Sequence, residues 1–367
     1  VLTPQGFVRG QLRVAAGRIA AIEGEAIPAD QAGAGGRPRI LPGFIDLHVH
    51  GGGGHDVMEG GEAPQQVAAA HVRHGTTAIL ATTMTAPLEE IHKALAAVSR
   101  AMERPAAPGR PAARILGVHL EGPYLNRGRL GAQPDFVREL ALAEIDELAG
   151  LAPLRVITLA PEQAGAMALI APLLARGMRV QLGHSQADYE CACAALAAGA
   201  SGFTHLFNAM GPLHHRAPGL AGAALAHAQH AEIIPDLLHV HPGALRLALR
   251  AIPGLYCVTD STAAAGMPDG EYALGRQRVT KCMGGVRLAD GTLAGSTLTM
   301  DQALRNLVKL GLELPEAARR VSTHAAQYLG LDDCGQLTVG CRADLVSLDA
   351  KLDLSGVWVA GVAAPAA

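Results

Sequence analysis

The amino-acid sequence predicts an α/β chain: a (β/α)8, TIM-like barrel with a small β-sandwich formed by both chain termini. Three observations carry this. Apolar runs alternate with Ala-rich segments of helical spacing from residue 41 to about 330. Eight such runs can be counted, more than an ordinary open sheet needs. The two ends read differently, as short strands and turns, each too small to bury a core alone.

Residues 1–40 are the N-terminal part of the small β domain. "GQLRVAAGRIAAI" alternates apolar and polar residues around a turn, as a hairpin does, and "PADQAGAGGRPRILPG" is a Gly/Pro-rich connector. The barrel is expected over 41–330, with strands at 44–50, 76–83, 113–121, 155–161, 179–184, 201–206, 232–240 and 255–260. "PQQVAAAHVRHG", "PLEEIHKALAAVSRAM" and "AEIDELAGLA" supply intervening helices. "AGAMALIAPLLA" (164–175) is too short to span a membrane and predicts a buried helix. Residues 331–367, with "GQLTVGCRADLVSLDAKLDLSGVWVAGV", return to short strands and complete the small domain.

Composition narrows the function classes. Hydrophobic residues are 49% and aromatics 3%, so the core is built of Ala, Leu, Val and Ile. The formal charge of −3, with no basic stripe and no polybasic run, argues against nucleic acid or a membrane surface as partner. The six cysteines lack zinc spacing, and Cys191 and Cys193 lie in a helical segment facing different ways. Reduced thiols and the lack of a secretory leader at the start of the sequence lead to the expectation of a cytoplasmic protein. The run "HGGGGHD" lacks the Lys-Ser/Thr and GxGxxG patterns of a phosphate cradle.

The chemistry sits where strands end. Residues two apart in a strand share a face, so Asp46, His48 and His50 point together. Glu121 closes the third predicted strand, with His119 two residues before it. His184, His205 and Asp260 close the fifth, sixth and eighth. One such histidine would read as a packed core residue. Together they form a set that a (β/α)8 barrel brings to a single face, and His with carboxylate suits one or two divalent ions such as Zn²⁺, Fe²⁺ or Mn²⁺.

With those residues placed, the chain resembles the amidohydrolase superfamily, and within it the N-acetylglucosamine-6-phosphate deacetylases. The motifs are "LPGFIDLHVHG", "HLEGPYLN", "LGHSQA", "THLFNAMGPLHHRAPGLAGAAL", "LHVHP", "VTDSTAAAG", "LAGSTLTM" and "GCRADLVSLD". The resemblance implies metal-dependent hydrolysis of the acetamide of N-acetylglucosamine 6-phosphate. It implies Glu121, His184 and His205 as principal metal ligands, His48 and His50 as holders of a second metal, and Asp260 as the catalytic acid/base. Ala132, Asn208, Ala209, Leu293, Ala294 and Gly295 match substrate contacts. Arg216 and His239 match residues that reach the phosphate from the neighbouring subunit of a homodimer.

One departure stands out. Many relatives carry "GAHNP" where this chain has "GAQPD", so Gln133 replaces a pocket histidine. Gln can hydrogen-bond a substrate oxygen but cannot become cationic. The epimeric N-acetylgalactosamine 6-phosphate stays open as substrate. Hydantoinase-like relatives place a lysine between two metals, yet no lysine occurs between Lys93 and Lys281. Adenosine-deaminase-like members would not explain a glutamate ligand in "HLEGP". A non-catalytic barrel that only binds metal or sugar phosphate should have lost one of Glu121, His184, His205 or Asp260, and all four are present.

Overall fold

The apolar runs pair side by side because each is buried on both faces, which leaves the parallel ladder to satisfy the backbone. The computed structural model describes residues 1–104 and 111–364; the last three residues of the expected C-terminal piece lie outside them. Six strands run parallel in chain order: Phe44–Val49, Thr76–Thr83, Arg114–Glu121, Leu154–Leu159, Arg179–Leu182 and Gly202–Phe203. The seventh and eighth, His230–Ile233 and Gly254–Cys257, pair with each other. Leu206 N–H donates to Glu232 O at 2.9 Å, joining the sixth to the seventh. A parallel bridge between Val49 and Ser261, with Asp260 N–H donating to His48 O at 2.9 Å, closes the ring.

Helices wrap this ring, burying Val67 and Val72, Ile91, Leu95 and Val98, Ile145 and Leu148, Leu245, and Leu304 and Leu307 against the strands. Each full burial of such a side chain stabilises by about 1.5–3 kcal/mol. Inside the ring the filling is partly polar. His119 bonds Thr158 Oγ1 at 2.7 Å, Thr158 bonds Thr204 Oγ1 at 2.7 Å, and Thr204 donates to Gln181 Oε1 at 2.8 Å. This hydrogen-bonded layer is the floor beneath the strand-end residues.

Both termini build the satellite sheets. Leu2–Thr3, Gly6–Ala15 and Arg18–Ile27 form one antiparallel sheet. Arg39–Pro42 pairs with Leu345–Leu348, which continues to Leu354–Val359 and Val362–Ala364 in a second. Ile19, Leu337, Cys341, Ala343 and Leu345 make a small separate core between them.

Three local expectations change. The seventh strand starts at His230 rather than 232 and stops at Ile233, because Pro235 lacks the N–H to continue a ladder. His230 is therefore a strand residue. The helix Ala166–Ala175 is amphipathic rather than buried: only Ala166, Ile170 and Leu173 are covered. An unanticipated antiparallel sheet of Gly270–Leu274, Gln277–Cys282 and Gly285–Arg287 follows the eighth strand. No helix of the described residues is long and apolar enough to cross a membrane.

Candidate active site

The polar strand ends meet at one mouth. Glu121 lies between two pairs of histidines. Its Oε1 is 3.1 Å from His184 Nε2 and 2.9 Å from His205 Nε2. Its Oε2 is 3.1 Å from His50 Nε2 and 3.5 Å from His48 Nε2. Asp260 Oδ1 completes the second group, 3.3 Å from His50 and 3.5 Å from His48. Glu121, His184 and His205 form one triplet of converging ligand atoms, and His48, His50 and Asp260 another.

Local backbone explains the aim of these side chains. His184, His205 and Asp260 have φ of 47°, 28° and 50°, left-handed values that non-glycine residues adopt only at a cost of about 1–3 kcal/mol each. The turn out of each strand swings the side chain inward over the mouth. Gly295 (φ 61°) passes so close to Asp260 that an added Cβ would lie 2.6 Å from Thr262 Cγ2 and 2.9 Å from Asp260 O. Only glycine fits there.

The surroundings fix orientation. His184 Nδ1 donates to Arg129 O at 2.8 Å, leaving Nε2 free to ligate. Asp46, expected on the same face as His48, is a brace instead: it accepts from Thr259 Oγ1 at 2.6 Å and from the His48 N–H at 3.3 Å. Burial pushes its carboxyl up to about 7. His119 is held by Leu47 O and Thr158 beneath the site.

The electrostatics suit a cation. Burial alone would raise the Glu121 carboxyl, but the facing His48 and the hydrogen bonds from His184 and His205 hold it well below the ordinary range. Burial pulls His50 down, yet Asp260 and Glu121 lift it to about 9. Two pairs of Nε2 atoms stand only 3.1 and 3.2 Å apart. Nitrogen lone pairs converge this closely on a shared proton or metal, and imidazole with carboxylate is the donor set of a divalent transition ion. The residues therefore fit one ion held by Glu121, His184 and His205, and a second held by His48, His50 and Glu121 with Asp260 beside it. Metal must displace the histidine protons to bind.

One cavity takes in His50, Glu121, His184, His205 and Asp260, together with Ala132, Gln133, Asn208, Ala209, His239, Leu293 and Gly295. Two predicted contacts are placed differently from expectation. The Ala294 side chain is fully buried and its N–H donates to Val286 O at 3.0 Å, because the antiparallel sheet turns it away; Leu293 and Gly295 form the wall. His239, expected to reach into a neighbouring subunit, lines the cavity of its own chain, held by Asp236 at 2.6 Å. Burial lowers its basicity, but Asp236 and Asp260 together raise it above the ordinary value. Arg216 does not line this cavity: it is exposed, and its Nη1 donates to His215 Nε2 at 2.8 Å.

Gln133 turns inward to protein partners. Its Oε1 accepts the Thr85 N–H at 2.7 Å, and its Nε2 donates to Glu121 Oε2 at 2.6 Å. It is thus a support of Glu121 as well as part of the cavity wall. Sequence reasoning missed one buried carboxylate. Glu232, on the seventh strand, has Oε2 2.9 Å from His48 Nδ1. The available signal was an acidic residue inside the apolar run "AEII".

Known proteins share this arrangement at large scale. The amidohydrolase family model matches residues 39–364. An N-acetylgalactosamine-6-phosphate deacetylase of Escherichia coli O157:H7 is 42% identical over 372 residues, covering 98% of this chain and 96% of that protein. An N-acetylglucosamine-6-phosphate deacetylase of Lysinibacillus sphaericus is 40% identical over 330 residues, covering 88% and 84%. Among solved structures, a variant of N-acetyl-D-glucosamine-6-phosphate deacetylase from Mycobacterium smegmatis, in complex with N-acetyl-D-glucosamine 6-phosphate, superposes with a TM-score of 0.88 at 36% identity. That match covers 96% of this chain and 93% of the other.

Proposed function

The chain belongs to the amidohydrolase family, and from that premise we propose that it hydrolyses the acetamide of N-acetyl-D-glucosamine 6-phosphate to D-glucosamine 6-phosphate and acetate. The observation that carries this reading is the convergence of Glu121, His48, His50, His184, His205 and Asp260, most of them lining one cavity, in a chain that matches a sugar-phosphate-bound deacetylase over almost its whole length. The activity belongs to amino-sugar metabolism. A cytoplasmic setting is part of the same reading, supported by six cysteines that form no disulfide.

A divalent ion, when bound, supplies Lewis acidity that polarises the amide and acidifies water near neutral pH; we infer Zn²⁺, Fe²⁺ or Mn²⁺ from the donor set. Glu121 spans both ligand groups with its two oxygens. Asp260 takes a proton from the attacking water as the new C–O bond forms. It returns that proton to the sugar nitrogen as the C–N bond breaks, so that an amine leaves rather than an amide anion. The main-chain bonds of Asp260 to His48 O (2.9 Å) and Ser296 N–H (2.7 Å) keep its side chain at the mouth throughout.

The phosphate needs a cation. Among the described residues, no Lys or Arg lines the cavity, and His239, its basicity raised, is among the lining residues. We assign Arg216 of a second copy to this role in a homodimer, since its guanidinium is exposed and a planar fork matches phosphate oxygens. Acetate release from the phosphorylated and unphosphorylated sugars tests the whole reading. Turnover that ignores the phosphate would count against it. The C4 epimer is the second reading, favoured by the Escherichia coli relative; a higher kcat/KM on N-acetylgalactosamine 6-phosphate in the same assay would select it.

A further inference from the structure

We propose that Glu232 is a positioning residue that makes His48 a metal ligand, and so governs occupancy of the His48/His50 site; this rests on the metal-dependent reading above. The argument is one of donors and acceptors. Glu232 is fully buried on the seventh strand, at the level just below the mouth. Its Oε2 lies 3.2 Å from the main-chain N–H of His205, which can only donate. The same oxygen lies 2.9 Å from His48 Nδ1. Its Oε1 faces Gln181 Nε2 at 3.1 Å and Tyr256 Oη at 3.4 Å. Gln181 Oε1 lies on the other side, 2.8 Å from the Thr204 hydroxyl.

Besides the His48 ring, Glu232 therefore meets three donors, the His205 N–H, the Gln181 amide and the Tyr256 hydroxyl, and serves as a pure acceptor, which a carboxylate is. His48 must then carry its ring proton on Nδ1. That leaves the Nε2 lone pair facing His50, Glu121 and Asp260 at 3.2, 3.5 and 3.5 Å. The opposite tautomer would set a lone pair against the Glu232 carboxylate and a proton where the ion belongs. Outer carboxylates of this kind fix ligand tautomer and raise ligand basicity, and their loss typically weakens metal binding about 10–100-fold. One carboxylate here also touches both ligand groups, through the His48 ring and the His205 backbone.

The experiment compares the parent protein, Glu232→Gln and Tyr256→Phe, each stripped and reloaded with Zn²⁺ or Mn²⁺. Metal equivalents per chain and chelator-competition affinities are measured beside the melting temperature. Glu232→Gln should keep the Glu121/His184/His205 ion and bind the second about 10–100-fold more weakly. Tyr256→Phe removes a different partner of Glu232 and should leave both affinities in place, whatever it does to stability. A second-ion affinity in Glu232→Gln within threefold of the parent's overturns the proposal; so does an equal loss in both variants, which would mark a purely structural role. A parent that binds no ion tightly defeats the metal reading itself, and one that binds a single ion leaves Glu232 nothing to govern and overturns the proposal alone. Should Glu232→Gln not fold, ring ¹⁵N spectra of the metal-loaded parent decide: a His48 proton on Nδ1 is expected, and one on Nε2 overturns it.

Discussion

Replacing Asp260 by Asn isolates proton transfer from everything else the residue does. Asn keeps the volume and one carbonyl oxygen, but it cannot accept a proton from water at neutral pH. The main chain at 260 is held independently of the side chain, by His48 O at 2.9 Å and Ser296 N–H at 2.7 Å. Its φ of 50° is a value Asn tolerates better than most residues, so the fold should survive. A positioned acid/base is worth ~10²–10⁴-fold. The expected cost in kcat is therefore about 2.7–5.4 kcal/mol at roughly 1.36 kcal/mol per tenfold. KM should change little, because the proposed sugar and phosphate contacts come from other residues. Steady-state acetate release gives kcat and KM. Metal content must be measured in parallel, since Asp260 Oδ1 stands 3.3 Å from His50 Nε2. A kcat within tenfold of the parent's, at unchanged metal content, would refute the assignment.

Three further outcomes are expected. Glu121→Gln should lower the affinity for both ions at once, because its two oxygens face different histidine pairs; elemental analysis that found only one ion lost would contradict the bridging arrangement. Arg216→Ala subunits mixed with Asp260→Asn subunits should recover about a quarter of the parental activity, since half the random dimers are mixed and each has one complete site; no recovery after exchange would argue against a shared site. His71, bonded to Gly51 O at 3.0 Å, is lowered from 6.5 to about 4 by burial. It is neutral in the fold, whereas the unfolded chain binds a proton below its ordinary value. Its contribution is thus fully present above about pH 6.5 and is lost as pH falls towards 4, amounting to about 3 kcal/mol. Metal-stripped parent should destabilise between pH 7 and 5 more steeply than His71→Gln, and equal slopes in thermal melts would contradict this.

The barrel was legible because its signal is periodic. Strand and helix alternate, and the period of two put His48 and His50 on one face before any coordinates. The cluster of histidines and carboxylates followed from strand ends, which the fold forces together. What escaped were features set by tertiary contact. Gln133 reads as a pocket residue in "GAQPD", and nothing local announces that its amide bridges Thr85 and Glu121. Glu232 was visible as a charge in an apolar run, but its bond to His48 spans 184 positions. The sheet over 270–287 was missed because its short strands, broken by Gly and polar or charged residues, bury only scattered residues such as Leu274, Val279 and Val286. The seventh strand was extended too far because "LLHV" continues the apolar pattern beyond Pro235.

The most direct measurement is acetate production from N-acetylglucosamine 6-phosphate by protein stripped with chelator, then reloaded with one ion species while bound metal is counted. Silence in the stripped protein, with activity returning in proportion to ions bound, is the predicted result. Undiminished acetate release at less than a tenth of an ion per chain would contradict the idea that this ring of histidines exists to hold a cation.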